Sequence, residues 1–180
     1  MKVNIGKYND DLSPRDINVE IDDYDVWGLD HTLALIILPA LKKLKEVQQG
    51  SPIVDNEDVP EELHVAEGVD DDPNFFKKWD YVLDEMIWAF TQILDDDSDN
   101  QFHTGTRDSL FQPLDKDHNP IGELFPFGEV EKEKSGAKFY SMVKGPNDTS
   151  RFDAEGYKKH HNRIQNGTTL FGKYYNGLWD

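Results

Sequence analysis

DPNFFKKWDYVLDEMIWAFTQIL, residues 72–94, is the stretch on which the fold turns. Phe75/Phe76, Trp79, Val82/Leu83, Met86/Ile87, Phe90 and Ile93/Leu94 recur every three or four positions. That spacing puts apolar bulk along one side of a helix. Asp72-Pro73 predicts the start: the acid serves as N-cap, and proline, with no amide hydrogen, takes the first helical position. The aromatic content of this face predicts that the helix dominates the core.

On the N-terminal side, Leu33, Ile37, Ala40, Leu44 and Val47 share helical spacing, and Leu35, Ile36, Leu38 and Leu41 widen the stripe. A helix over 31–48 is expected, capped by Asp30, buried on more than one side and kinked at Pro39. Gly50 ends it, with Pro52 just beyond. Residues 1–24 read as extended, because Val3/Ile5 and Val19/Ile21 alternate with polar neighbours about a turn at Ser13-Pro14. Two short paired strands follow. On the C-terminal side, residues 137–143 read as a strand, 144–150 as a loop and 154–176 as a helix capped by Asp153. The inner face predicted for that helix is Tyr157, His161, Ile164, Thr168, Phe171, Tyr175 and Leu178. Gly156, Gly167 and Gly172 each weaken it by about 1 kcal/mol relative to alanine. They imply a close neighbouring backbone or ligand, or a broken helix. Residues 50–72 and 95–136 are acidic and irregular, with one turn near Glu61-Leu63 and a hairpin about 117–120. The resulting fold class is α+β, mostly α: three long helices packed together with a few short N-terminal and mid-chain strands, in one domain over 1–180.

The chain has 180 residues and a formal charge of −17. It has no cysteine, which removes disulfides, thiolate metal sites and a cysteine nucleophile. The longest apolar run, Leu33 to Leu41, is too short to span a bilayer, so no membrane association is expected. A field of this sign disfavours general binding to nucleic acid. The charge is uneven. Residues 135–180 carry Lys138, Lys144, Arg151, Lys158, Lys159, Arg163 and Lys173 against Asp148, Asp153, Glu155 and Asp180. That surplus of three leaves −20 on residues 1–134.

The segments DHTLALIILPALKKLKE, FFKKWDYVLDEMIWAFTQILDDD and MVKGPNDTSRFDAEGYKKHHNRIQNGTTLFGKYYNGLWD, with VDNEDVPEEL and the opening MKVNIGKY, resemble a family of tailed-bacteriophage proteins. The resemblance implies a phage protein acting in the host bacterial cytoplasm. It carries over no catalytic residue and no cofactor.

The C-terminal quarter holds the main candidate site. A strand, Lys144-Gly145-Pro146, Thr149-Ser150-Arg151 and a helix start form an order that suits an anion, through amides, hydroxyls and two cations. On the helix, Lys159, Asn162, Arg163, Asn166 and Lys173 share a face that adds amide groups to charge, with Tyr174 beside it. The expected ligand is small, anionic and nucleotide-like, held by a non-enzymatic and homo-oligomeric protein. Sequestering a host antiviral signalling molecule is one role for it. The bland alternative is a solvated cationic face balancing an acidic body. A second reading is an acidic inhibitor that mimics nucleic acid. A third is a metal-dependent nucleotide hydrolase using His31, Asp84 and Glu85, but the paired acidic motifs of helical pyrophosphatases are absent, and Asp84-Glu85 also reads as a solvated face. Asp95-x-Asp97-x-Asp99 and Asp115-x-Asp117-x-Asn119 open like calcium loops, yet Asn100 and Thr106, and Pro120 and Pro126, stand where glycine and glutamate belong. His160 and His161 point about 100° apart on a helix and do not share a metal easily. Trp27, Trp79, Trp88, Tyr174, Tyr175 and Trp179 supply core or stacking surface, and Trp88, off the inner face of its helix, is the one expected to meet a ligand or partner subunit.

Overall fold

The computed structural model describes residues 1–11, 13–66, 71–126, 137 and 139–179. Within them it holds four α-helices, three of them long, and small antiparallel sheets. The mostly-α α+β expectation is met. The chain divides into two compact units: residues 1–98 with 158–180, and residues 99–157.

The first unit opens with strands β1 (Lys2–Ile5) and β2 (Ile17–Glu20), antiparallel in the register Val3↔Val19 and Ile5↔Ile17. Helix α1 (Asp23–Trp27) falls at the end of the stretch expected to be extended. A capping box explains it: the Asp22 carboxylate accepts from the Tyr24 amide at 2.9 Å, and the Asp22 amide donates to Asp25 at 2.8 Å. Helix α2 (Leu29–Val47) therefore starts at Gly28, and Asp30 sits in its first turn rather than capping it. Its end comes three residues before Gly50, where the Gln48 amide donates to the Leu44 carbonyl. Pro39 lies inside the helix. The burial expected on several sides is corrected: Ala34, Leu38 and Leu41 are buried, whereas Leu33, Leu35 and Ile36 are 41%, 58% and 41% exposed.

Helix α3 (Phe75–Ile93) is the centre of the unit, with Trp79, Val82, Leu83 and Met86 fully buried. Each contributes about 1.5–3 kcal/mol by leaving water. Its N-cap is Asn74, two residues later than predicted. Asp72 instead accepts from the Asn74 amide at 2.7 Å and pairs with the buried Lys78 at 2.7 Å. The acidic stretch before it is no free linker. It forms 3-10 turns at Asn56–Asp58 and Glu61–Leu63, and Val54 and Val59 enter the core. Residues 67–70, including Asp70 of the predicted acidic run, lie outside the described residues.

Helix α4 (Ala154–Lys173) is unbroken and capped as expected, the Asp153 carboxylate accepting from the Gly156 amide at 2.9 Å. Its buried line is Gly167, Leu170 and Tyr174, one position round from the predicted Thr168, Phe171 and Tyr175. Gly167 sets that rotation. A β-carbon there would stand 2.5 Å from Ala89 Cβ and 2.6 Å from the Glu85 carbonyl oxygen, so α4 lies directly on the α3 backbone. Phe171 then meets Phe90 edge-on at 5.1 Å, and Tyr174 meets Trp79 at 5.9 Å.

The second unit holds β3 (His103–Thr104) paired with β7 (Arg151–Phe152), and a three-stranded sheet in the order β5 (Phe125–Pro126), β4 (Ser109–Leu114), β6 (Phe139–Lys144). Strand β4 lies in a stretch expected to be irregular, and it carries Pro113, which cannot donate to a neighbouring strand. Pro113 offers its carbonyl to the Ile121 amide at 2.9 Å, a role that needs no amide hydrogen. The predicted hairpin is present, closed by the bridge Leu114↔Pro120, with His118 at φ 62°. Residues 127–136 of the predicted irregular segment, and Lys138 of the predicted strand, lie outside the described residues. None of the described helices is long and apolar enough to cross a membrane.

Candidate functional site

Two short ladders build a cleft in the second unit. The register Thr104↔Arg151 places Arg151 across from β3, and Ser109↔Lys144 places Lys144 at the end of β6. A hydrogen-bonded lattice fixes the loop joining them. The Asp108 carboxylate accepts from the Asn147 amide at 3.0 Å, and the Thr106 amide donates to Thr149 Oγ1 at 2.9 Å. The Asp148 carboxylate, almost wholly buried, accepts from the Asp108 amide at 3.1 Å and from Ser150 Oγ at 2.6 Å. Gly105, at φ 77°, allows the facing loop to close on the Thr149 carbonyl, where a β-carbon would collide.

The cleft has a volume of about 520 Å³. That lies within the range of small-molecule sites, roughly 300–1,000 Å³. Its charged lining is Arg107, Lys144 and Arg151 against the single carboxylate of Asp148, with His103, Ser109 and Ser150 as further polar groups. Arg151 forms no ion pair among the described residues. Lys144 reaches Asp148 only at 3.5 Å and is 74% exposed, so the pairing is worth well under about 1 kcal/mol. Arg107 is held along the sheet by Ser109 Oγ at 3.2 Å and the Met142 sulfur at 3.3 Å. The Ser150 hydroxyl bond, foremost, holds the Asp148 carboxyl below the usual range, and the acid stays charged. An excess of positive charge thus gathers in an otherwise acidic chain. His103 and Phe152 add a ring pair at 4.9 Å, with Phe152 48% exposed.

Lys144 and Arg151 thus line one cleft, and Thr149 lies behind it as part of the lattice. The backbone cradle expected around them does not form. The amides of Gly145, Asn147, Asp148, Thr149 and Ser150 already donate within the loops, and the start of α4 is closed by Asp153. Recognition of an anion here falls to side chains. Arg107 was missed from sequence, although it is the one Lys or Arg between Lys78 and Lys116.

The remaining candidates belong to the first unit. Lys159, Asn162 and Asn166 are exposed on α4. Arg163 makes a two-pronged bond to the buried Glu85, Nε to Oε2 at 2.9 Å and Nη2 to Oε1 at 2.7 Å, and stacks over Trp88 at 4.0 Å. The Glu85 bond raises the Arg163 pKa further. Trp88, expected to meet a ligand or partner, is packed by Arg163 and His160. Lys173 bridges Asp55, Glu57 and Asp58 at 2.9, 2.9 and 2.6 Å, and these bonds, the one to Asp58 first, raise its pKa strongly. Tyr174 donates to Asp58 at 2.5 Å and accepts from the Asp55 amide at 3.0 Å. Among the described residues, Asp55, Glu57 and Asp58 form the acidic cluster tight enough for a metal, and the Lys173 ammonium is already its cation.

Of the hydrolase set, Asp84 pairs with Lys45 and Glu85 with Arg163, while His31 has a buried Nε2 with no hydrogen-bond partner among the described residues. Glu85 is 7% exposed, so the solvated-face reading of Asp84-Glu85 holds only for Asp84. In the calcium-like segments, Asp95 caps the Asp97 amide and Asp115 caps those of Asp117 and Asn119, which makes them turn acids. Compared with protein-family models, curated protein sequences and solved structures, the chain matches none.

Proposed function

We propose that the chain binds a small anionic, nucleotide-like ligand in the second unit's cleft, with Arg107, Lys144 and Arg151 on the anionic group and Phe152 with His103 against a planar group. The observation that carries this is the cleft of about 520 Å³ in which three cations face one carboxylate, in a chain of net charge −17. The planar fork of an arginine matches phosphate oxygens two at a time. The hydrogen-bonded loops hold the backbone that carries Lys144 and Arg151 in place before binding, which lowers part of the ordering cost. The reading includes a phage origin and capture of a host signalling molecule in the bacterial cytoplasm, as the sequence resemblance suggests.

The test is to purify the full chain from bacterial lysate, denature it and identify released compounds by mass spectrometry. A phosphate-bearing compound at near one per chain is expected, with Arg151→Ala releasing far less. An empty protein that also shows no thermal shift with any nucleotide contradicts the proposal.

A further inference from the structure

We propose that the outer face of the N-terminal segment is a self-association surface, covered in solution by a second copy of this chain. Helix α2 carries two apolar rows. Ala34, Leu38 and Leu41 are buried in the core. Leu29, Leu33, Ile36, Ala40 and Val47 lie within an arc of about 60° on the other side, at about 100° per residue. All but Ala40 are large side chains left 38–41% exposed, and Ala40 is exposed as well. No charge interrupts the row between Leu29 and Ala40. A solvated helix face would carry polar groups at these positions.

The preceding elements repeat the pattern. The β1–β2 hairpin sorts its residues by face: Lys2, Asn4, Asn18 and Glu20 on one, Val3, Ile5, Ile17 and Val19 on the other. The apolar face is uncovered, each side chain being 41–67% exposed. Among the described residues the sheet has two strands, so both outer edges are open. A lone two-stranded hairpin is marginal in water and gains stability from a third strand or an apolar covering. In α1, Trp27 and Tyr24 are 95% and 88% exposed.

The area favours a second copy as the occupant. Tyr24 and Trp27 expose roughly 300 Å² between them. The aliphatic side chains of the hairpin, α1 and α2 add about 400 Å² more, at roughly half of their full burial value. Summed over the hairpin, α1 and α2, the total approaches the ~800 Å² per partner of a stable interface. A two-fold pair presents the same row to itself, so apolar meets apolar with no new chemistry required. Copies of like charge repel, so the pair tightens as salt rises, whereas attraction to a basic partner weakens.

Sedimentation velocity on the full chain, from about 1 to 100 µM at low and high salt, tests this. The expected result is a species of twice 20.8 kDa that strengthens with salt. Leu33→Glu and Ile17→Glu are expected to raise the dissociation constant at least about tenfold with circular dichroism unchanged. Trp27→Ser, at a side chain free of packing, serves where either variant disturbs folding. Ile53→Glu, at an 82% exposed position outside the surface, leaves association unchanged. A monomer throughout the range overturns the proposal, as does a dimer that all three surface variants leave intact. A monomer that floats with phosphatidylcholine vesicles also overturns it and assigns the face to lipid.

Discussion

Gly167→Ala and Gly172→Ala place the same substitution in the same helix, five residues apart, and are expected to act in opposite directions. At Gly167 the new β-carbon falls 2.5 Å from Ala89 Cβ and 2.6 Å from the Glu85 carbonyl oxygen. Carbon contacts settle at about 3.5–4.0 Å, so the shortfall is about 1 Å. One of the obstructing groups is backbone and has no rotamer to change. Helix α4 must lift from α3, at an overpacking cost of about 1–3 kcal/mol. The same lift stretches the Arg163–Glu85 bonds one turn away. Alanine's better helix propensity returns about 1 kcal/mol. The net expectation is a loss of up to about 2 kcal/mol, or at most roughly 8 °C for a chain of this size. At Gly172 a β-carbon meets nothing within 4 Å among the described residues, so the propensity gain stands alone. That variant is expected to gain about 0.5–1 kcal/mol. All four tryptophans lie in the first unit, so urea unfolding followed by tryptophan fluorescence reports on the helices concerned. A Gly167→Ala protein that gains stability as Gly172→Ala does refutes the close helix contact.

Arg163→Ala strands the buried Glu85 carboxylate and is expected to cost about 2 kcal/mol, below the full burial figure because Arg163 is half exposed. Adding Glu85→Gln recovers part of the loss, and a double-mutant cycle in urea measures the coupling. Burial and the Asp58 bond push the Tyr174 hydroxyl up to about 12. In the unfolded chain it ionises near 10, so its stabilisation is complete below about pH 10 and lost as pH climbs toward 12. Tyr81 is raised in the same direction, so the comparison with Tyr174→Phe, which flattens the alkaline loss, isolates this group. At the acid end, Asp72 is held low by Lys78. Its contribution persists above the ordinary carboxylate range and disappears as pH falls through the lowered folded value, a loss that Asp72→Asn removes from a pH series of unfolding curves.

Periodicity made the three long helices legible, because each buries a row that recurs every three or four residues. It failed where contact is made by small or polar side chains. Gly167 forms the α3–α4 contact yet carries no hydrophobic signal, so the inner face of α4 was placed one position off. Lys78 and Glu85 are buried on α3 because Asp72, Asn56 and Arg163 reach them, and Asn56 and Arg163 stand too far along the chain for spacing to reveal. The outer row of α2 is as apolar as its inner row, so sequence alone could not tell which the core uses. In the candidate site, Lys144 and Arg151 were visible as cations near a turn. Arg107 and His103 were not, because β3–β7 and β4–β6 pairing joins segments some forty residues apart. Of the predicted anion face on α4, Arg163 and Lys173 are bound to Glu85 and to the Asp55–Asp58 turn, partners that lie some 78 and 116 residues away.

Isothermal titration of the full chain with nucleoside mono-, di- and triphosphates, beside Arg151→Ala and Lys144→Ala, bears most directly on anion capture by the cleft. A charge-assisted contact is worth about 1.5–3 kcal/mol, so each variant is expected to weaken binding by roughly 10- to 100-fold while unfolding at the parent's urea concentration. Saturable binding that both substitutions weaken is the predicted result. Binding that survives both unchanged, or no heat with any nucleotide and no compound released from the purified protein, contradicts it.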